Sequence, residues 1–285
     1  MRHYFWIGIL GLLFVSCLRE GEKNDCSIEL FFNMQDVAYT FAGSEVAYQP
    51  YYIFTEHLDL FLFSESQLYA SNRYDNEYCR THPTIPFYAN QNPQFYLFTA
   101  NLSDPKMLNY SFIDGQLNAV FSILNNEEPP VLLTAVSRFK SQCDSMLVNL
   151  RILTSHLEIQ LIHPPTWIYG FDMTVTNIAT SISANLNLED TTHIYKRFLV
   201  NHRGVESYTF GMNTFPTHPN EAALLKIDLI GLNEVYPIAV NDERLYLLSG
   251  VIARLNIKFE NENKITISVE IDGKWEVVDG GHIII

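Results

Sequence analysis

Apolar and polar residues alternate one by one along several stretches in the second half of this chain, namely 157–161, 225–229, 255–260 and 264–271. Successive side chains of a β-strand point to opposite faces of its sheet, so this pattern predicts strands with one buried and one solvated face. Such strands are typical of antiparallel sheets. Asp272 and Gly273 follow the last stretch and indicate a two-residue hairpin turn into the next strand.

The first half of the chain contains shorter apolar runs, and none is long enough to favour a buried helix over a strand. These runs are 26–32, 57–63, 95–98 and 131–136. One segment instead has apolar residues at the helical spacing i, i+3, i+4 and i+7. They are Leu117, Val120, Phe121 and Leu124. This spacing predicts an amphipathic helix, with Asp114 as its N-cap.

The order of these patterns predicts an all-β protein built from two antiparallel β-sandwich domains in tandem. Polar residues concentrate at 140–145, and the cleaner alternation begins after them. We therefore expect an N-terminal sandwich over 27–150 and a C-terminal sandwich over 151–285. The composition agrees with a sheet-rich globular protein, because 47% of the residues are hydrophobic and 13% are aromatic.

The beginning of the chain resembles a bacterial lipoprotein signal. Arg2 precedes an apolar run over 4–15, which is shorter than the roughly 20 residues that a membrane-spanning helix needs. Ser16 and Cys17 follow, and polar residues begin at Arg19. In such a lipobox the small residue gives the signal peptidase access to the backbone, and the cysteine thiol then carries a diacylglycerol.

We therefore expect a lipoprotein signal peptide over 1–16, cleavage between Ser16 and Cys17, lipid attachment at Cys17 and a polar tether over 17–26. Two or three acyl chains, such as palmitate, hold a protein firmly on a bilayer without a spanning segment. An ordinary signal peptide with an incidental cysteine is the alternative.

The other three cysteines are Cys26, Cys79 and Cys143. Outside the cytoplasm one pair could oxidise, and all three pairings stay open, as do three free thiols. No CxxC motif and no Cys/His cluster is present, so no metal site is expected. Glu127 and Glu128 precede two prolines and are expected in a solvated loop.

The sequence contains no motif of a common catalytic or cofactor site. It lacks a serine-hydrolase elbow, a His-Glu-x-x-His helix and a phosphate-binding glycine loop. We therefore expect no enzymatic activity and no cofactor, although a hydrolase with carboxylates far apart in sequence stays open. The formal net charge of −14 disfavours nucleic acid and direct docking on anionic lipid.

The order of these features resembles the fimbrillin-associated anchor proteins of the minor and major fimbriae of Gram-negative gut and oral bacteria. The resemblance rests on the acylatable Cys17, a first strand opening at Cys26, the strand and return over 58–68, a second domain opening at 157–159 and Trp275 near the end. It covers nearly the whole mature chain. The tail over 280–285, which ends in three isoleucines, departs from the family pattern.

This resemblance implies a lipidated outer-membrane protein of two transthyretin-like β-sandwich domains, exposed at the base of a fimbrium. Such a protein attaches the fimbrium and influences its assembly and length, by accepting a donor strand from a stalk subunit. Its partners are fimbrial stalk subunits and, through the N-terminal lipid only, the membrane; no nucleic acid or small-molecule substrate is expected. The alternative is a lipidated surface module that binds glycan or host protein, with Tyr51, Tyr52 or Trp167 as contacts.

Overall fold

The computed structural model describes residues 28–41, 45–89, 93–139, 145–200, 206–231, 235–240, 245–261, 264–271 and 274–279. In chain order the first strands are β1 (Ile28–Met34), β2 (Val37–Phe41), β3 (Ala47–Gln49), β4 (His57–Ser64), β5 (Gln67–Asp75), β6 (Thr84–Ala89), β7 (Phe95–Ala100), β8 (Leu108–Ile113), β9 (Gln116–Ser122), β10 (Leu133–Arg138) and β11 (Ser145–Val148). The others are β12 (Arg151–Ile152), β13 (Ser155–Ile162), β14 (Gly170–Ser183), β15 (Leu188–Leu199), β16 (Ser207–Thr214), β17 (Leu224–Ile230), β18 (Val235–Val240), β19 (Val251–Asn261), β20 (Lys264–Ile271) and β21 (Lys274–Asp279).

Helical structure in these residues is limited to one short helix, α1 (Asn76–Thr81), and 3₁₀ turns at Tyr51–Ile53 and Pro105–Met107. Asp75 caps α1, because its carboxylate accepts the backbone N–H of Tyr78 at 2.8 Å. The prediction of an all-β sandwich protein with mostly antiparallel sheets is confirmed.

The first sandwich consists of two sheets packed face to face. One sheet has the order β11-β1-β6 and is called the β1 sheet here; the other has the order β12-β10-β7-β4-β5 and is called the β4 sheet. Phe32 of β1 is fully buried, and its ring lies 5.0 Å from that of Phe98 and 5.4 Å from that of Tyr96, both on β7. These edge-to-face contacts join the two sheets across the core.

The second sandwich is built on β13 and β14. The β13 sheet has the order β16-β13-β19-β2-β3, with β20 and β21 added beside β19, and the β14 sheet has the order β18-β17-β14-β9-β8, with β15 beside β14. Leu157, Ile159 and Leu161 of β13 are fully buried, and Glu158 and Gln160 between them are not. The predicted alternation over 157–161 is therefore confirmed.

The predicted helix at 117–124 is wrong. The segment forms the hairpin β8–β9, and Asp114 and Gly115 make its turn with φ of +50° and +70°, the left-handed conformation that a two-residue hairpin needs. Leu117, Ala119 and Phe121 face the core with period two. The small Ala119 hides this strand period, so the larger neighbours give the impression of a helical stripe.

Strand pairing does not follow the predicted boundary at residue 150. The hairpins β2–β3 and β8–β9 come from the first half of the chain, yet they complete the β13 and β14 sheets of the second sandwich. A separate apolar cluster joins the two halves, with Phe63, Leu97, Phe121, Phe215 and Ile182 among its buried members. The division of the chain into domains at this point stays a prediction.

The last described strands pair as the sequence predicts, since Ile271 of β20 lies opposite Lys274 of β21. The turn residues Asp272 and Gly273 and the tail over 280–285 lie outside the described residues.

We expect Phe121→Ala to destabilise both sandwiches together, because Phe121 is fully buried in the cluster between them. Removing such a side chain leaves a cavity and costs about 3–5 kcal/mol. Urea unfolding followed by circular dichroism should show one transition at a lower midpoint. Ile113→Ala in the same hairpin is the control, since Ile113 is 56% exposed and should change stability by less than about 0.5 kcal/mol. A loss as small as the control's would contradict the assignment.

Candidate functional site

The residues that carry the predicted lipid signal lie outside the described part of the chain. Ser16, Cys17 and Cys26 all precede Ile28, the first described residue. Cleavage at Ser16 and Cys17, acylation of Cys17 and the tether therefore stay predictions. In the described residues no helix is long and apolar enough to cross a membrane.

The strand nearest to this signal, β1, lies in the middle of its sheet. It pairs in parallel with β11, with Phe31 opposite Ser145 and Met34 opposite Val148. On its other edge it pairs antiparallel with β6 over Ile28–Asn33. Strand β1 is therefore paired over Ile28–Asn33 on its β6 edge and over Phe31–Met34 on its β11 edge.

Side chains on the two faces of β1 strengthen this attachment. Leu30 and Phe32 point into the core and are at most 3% exposed. On the other face the Asn33 amide donates to the Ser145 hydroxyl at 2.7 Å and accepts from the Thr84 hydroxyl at 2.6 Å. Asn33 thus links β1 to both neighbouring strands, and the strand directly after the tether is an integral part of the core.

Of the three cysteines considered for a disulfide, only Cys79 is described, and its thiol is free and buried. Burial raises the pKa of this thiol to about 11, which makes it a poor nucleophile at neutral pH. The Tyr51 hydroxyl donates to the Cys79 carbonyl at 2.9 Å. Cys26 and Cys143 lie outside the described residues, so a disulfide stays a prediction.

The aromatic residues considered as sugar contacts are mostly packed. Tyr51 is 4% exposed and belongs to the core of the first sandwich, so it does not fit a sugar-stacking role. Tyr52 and Trp167 are partly buried against the cores of the first and second sandwich. Tyr48, by contrast, is 66% exposed.

The connecting segment between β9 and β10 is fixed to the second sandwich by Glu128. This residue is partly buried, and its carboxylate accepts the backbone N–H of Asn213 at 2.7 Å and pairs with Lys196. The same Asn213 also contacts His156, whose Nδ1 lies 2.8 Å from the Asn213 side-chain oxygen. A Cβ at Gly211 would lie 2.5 Å from that ring, so a larger residue there would displace the His156 side chain. The expectation of a solvated loop is wrong for Glu128. Its carboxylate is partly buried and contacts both the Asn213 N–H and Lys196.

The same segment is fixed to the first sandwich by Asn101. The Asn101 amide donates to the carbonyls of Val131 and Phe54 at 2.6 and 2.7 Å, and its own oxygen accepts the N–H of Glu56 at 2.6 Å. An apolar pocket of about 130 Å³ lies beside this junction, with Tyr39 and Phe54 in its wall. The segment between β9 and β10, called the connector here, is therefore hydrogen-bonded to both sandwiches.

A buried acidic side chain in the first sandwich is paired with an arginine. Asp59 on β4 is 5% exposed and receives two hydrogen bonds from the Arg73 guanidinium, at 2.6 and 2.9 Å. This contact raises the pKa of Arg73 and satisfies the buried charge. In the described parts of the chain no three His, Cys, Asp or Glu side chains come together as metal ligands.

Among the described residues, one sheet edge in the first sandwich is only partly covered. Strand β10 pairs with β7 along its whole length but with β12 only at Leu133 and Thr134. A cavity of about 220 Å³ lies beside the remainder and is lined in part by Val136, Leu147 and Arg151. Sequence reasoning missed this edge and the Glu128 contact, because both depend on strands that are distant in the sequence.

We expect Glu128→Ala to lower the free energy of unfolding by about 1–3 kcal/mol, because it leaves the Asn213 N–H without its acceptor and removes the ion pair with Lys196. Glu127→Ala is the matched control, since Glu127 is exposed and its truncation should cost less than about 0.5 kcal/mol. Urea midpoints of the two variants measure the difference. Equal midpoints would show that Glu128 contributes nothing to the junction.

No family model matches the chain, and no curated protein matches it. Solved structures do. A candidate adhesin from Bacteroides thetaiotaomicron is 10% identical, covers 89% of this chain and 99% of its own, and has a TM-score of 0.52. A candidate polysaccharide-binding protein from the same organism is 10% identical over 86% of this chain and 98% of its own, also at 0.52.

The structural neighbours also include the fimbrial anchor protein Mfa2 from Porphyromonas gingivalis, which is 11% identical over 91% of this chain and 100% of its own, with a TM-score of 0.47. At these identities the likeness concerns the fold. The two Bacteroides thetaiotaomicron proteins thus share the overall fold of this chain, over 86–89% of its length.

Proposed function

We propose that this protein is a lipid-anchored fimbrial anchor, held in the outer membrane by acyl chains on Cys17 and gripping the base of a fimbrium with its β-sandwiches. The order of motifs along the sequence supports this role. The fold likeness to a candidate adhesin agrees with a place on the cell surface. The protein acts by holding its partners and carries out no reaction.

The position of β1 carries the proposal. Tension on a fimbrium would reach the lipid through the tether, and the tether continues directly into β1. Because β1 is paired with β6 over Ile28–Asn33, paired with β11 over Phe31–Met34 and buried on one face, pulling it out of its sheet would break both ladders and expose the core. A first strand built in this way suits a protein that holds a load.

The length of the tether also suits attachment to a bilayer. From Cys17 to Ile28 there are eleven residue steps (28 − 17), which span at most about 36–40 Å when extended. Strand β1 can therefore lie clear of the lipid headgroups while the acyl chains stay in the membrane.

The charge of the protein makes the lipid necessary. The full chain has a formal net charge of −14, and removal of 1–16 takes away Arg2 and no acid, which leaves −15 (−14 − 1). An anionic surface repels the protein, so its attachment depends on the acyl chains, each buried methylene of which contributes about 0.8 kcal/mol.

The fimbrial stalk would be held by strand addition. A free sheet edge presents unpaired N–H and C=O groups, and an extended segment of a stalk subunit satisfies them. Since β1 cannot leave without opening the core, the protein would accept a strand and end the chain of subunits, which influences fimbrial length.

A second candidate function is glycan binding at the cell surface. The pocket at the junction has aromatic walls in Tyr39 and Phe54, and a structural neighbour is a candidate polysaccharide-binding protein. Binding on a glycan array that disappears with Phe54→Ala, while the fold is retained, would favour this function over the anchor.

We expect Cys17→Ala to abolish labelling with radioactive palmitate and to leave the protein unprocessed or in the soluble fraction. Cys26→Ser, which changes the next thiol along the chain, should keep both the label and the membrane location. Unchanged labelling of the Cys17→Ala protein would refute lipid attachment at this residue.

Deletion of the gene should release fimbriae into the medium or change their length, as measured by electron microscopy and by immunoblots of the culture supernatant. Wild-type protein supplied from a plasmid should restore attachment, and the Cys17→Ala form should not. Fimbriae that stay attached at normal length in the deletion strain would overturn the proposal.

A further inference from the structure

We propose that the uncovered edge of β10 binds an extended, acidic segment of a fimbrial subunit, by adding it to the β4 sheet beside Val136 and Arg138. This inference rests on the proposed function, because it names the surface with which the anchor would hold its partner.

The uncovered edge arises because one segment changes sheets. Residues 151–152 pair with the start of β10, with Arg151 opposite Thr134. The preceding residues, which form β11, instead pair with β1 in the other sheet. Consequently no described strand pairs with the outer edge of β10 from Ala135 to Arg138.

The hydrogen-bond pattern shows which groups face outward. On the β12 side the N–H of Leu153 donates to the carbonyl of Leu132 at 2.8 Å, and on the β7 side the N–H of Phe139 donates to the carbonyl of Gln94 at 2.8 Å. In an antiparallel ladder, successive residues direct their N–H and C=O groups to opposite sides. Even-numbered residues of β10 therefore face away from β7.

Val136 and Arg138 are the even-numbered residues beyond the end of β12. Each turns one N–H and one C=O to the outer edge, so an added strand would gain about four backbone hydrogen bonds there. The free stretch from Ala135 to Arg138 is about 13 Å long at the usual rise per residue. A partner segment of about four residues therefore fits.

The cavity beside this edge provides side-chain contacts. In 145–152 the even-numbered Val148 and Leu150 are buried in the core, whereas Leu147, Asn149 and Arg151 line the cavity. Leu147 is 66% exposed, although it is apolar. An incoming strand would cover it.

The charge at the edge selects the partner. Arg151 lines the cavity. Arg138, the last residue of β10, has its guanidinium 5.7 Å from the centre of the Phe95 ring on β7. In the described part of the chain no carboxylate lines the cavity. Because the whole protein carries −14, this locally basic edge is unusual and favours a segment with acidic side chains.

Another open edge is better protected against strand addition. Among the described strands β15 pairs only with β14, but it carries Glu189, Asp190, Lys196 and Arg197, and its ladder is interrupted by a bulge at Asn177 of β14. Charges and bulges discourage pairing at an edge. The free stretch of β10 has no charge before Arg138.

The test uses the mature lipoprotein in detergent and fimbriae sheared from a strain that lacks it. Val136→Pro removes an outward N–H, and proline is tolerated where the N–H of an edge strand faces solvent. We expect it to weaken fimbrial binding about three- to tenfold, whereas Val136→Thr, which keeps the N–H, should bind like wild type. Arg151→Glu should weaken binding similarly, and Arg80→Glu on α1 should not.

Hydrogen exchange gives a second measurement that needs no variant. In the free protein the amides of Ala135 and Ser137 should be protected, and those of Val136 and Arg138 should exchange fast. Both fast amides should become protected when fimbriae bind.

Each other outcome has a distinct meaning. If fimbriae bind but Val136 and Arg138 stay unprotected and the variants bind like wild type, the β10 site is wrong and the anchor function stands. If wild-type protein does not bind fimbriae, the proposed function fails as well. Protection already present in the free protein would show that a segment of this chain or a second copy covers the edge, which also overturns the inference.

Discussion

The pairing of β1 on both edges is the constraint on which the account depends. Parallel pairing with β11 and antiparallel pairing with β6 place β1 in the middle of its sheet, and Phe32 and Leu30 fix it to the core. A strand in this position cannot be withdrawn without exposing the interior of the first sandwich. A force that enters at the start of β1 would therefore act on the core of the first sandwich.

The two sandwiches are joined because the chain crosses between them more than once. Hairpins β2–β3 and β8–β9 leave the first half and extend sheets of the second. Phe121 packs in the apolar cluster between them, and Asn101 and Glu128 hold the connector on its two sides. Burial and hydrogen bonding thus act at the same junction, and separation of the sandwiches would expose apolar surface and leave polar groups unpaired.

Sequence reasoning predicted the features that depend on local pattern. Strands such as β13 have one buried and one solvated face, so their alternation is visible in the sequence. It failed at 117–124, where Ala119 is too small to reveal the period of β9, and at Glu128, whose partner Asn213 is distant in the sequence. The free edge of β10 has no local signal either, because it results from a later segment that changes sheets. The lipid signal stays a prediction from the sequence, since Ser16 and Cys17 precede the described residues.

Single-molecule stretching tests the central claim most directly. The non-lipidated chain over residues 17–285 would be held by a handle at its N-terminus and another at its C-terminus, so that tension enters through the tether. The account predicts that β1 stays in place until the first sandwich unfolds, with no earlier step. An initial step at low force that releases only the length of β1, with the remaining fold intact, would contradict it.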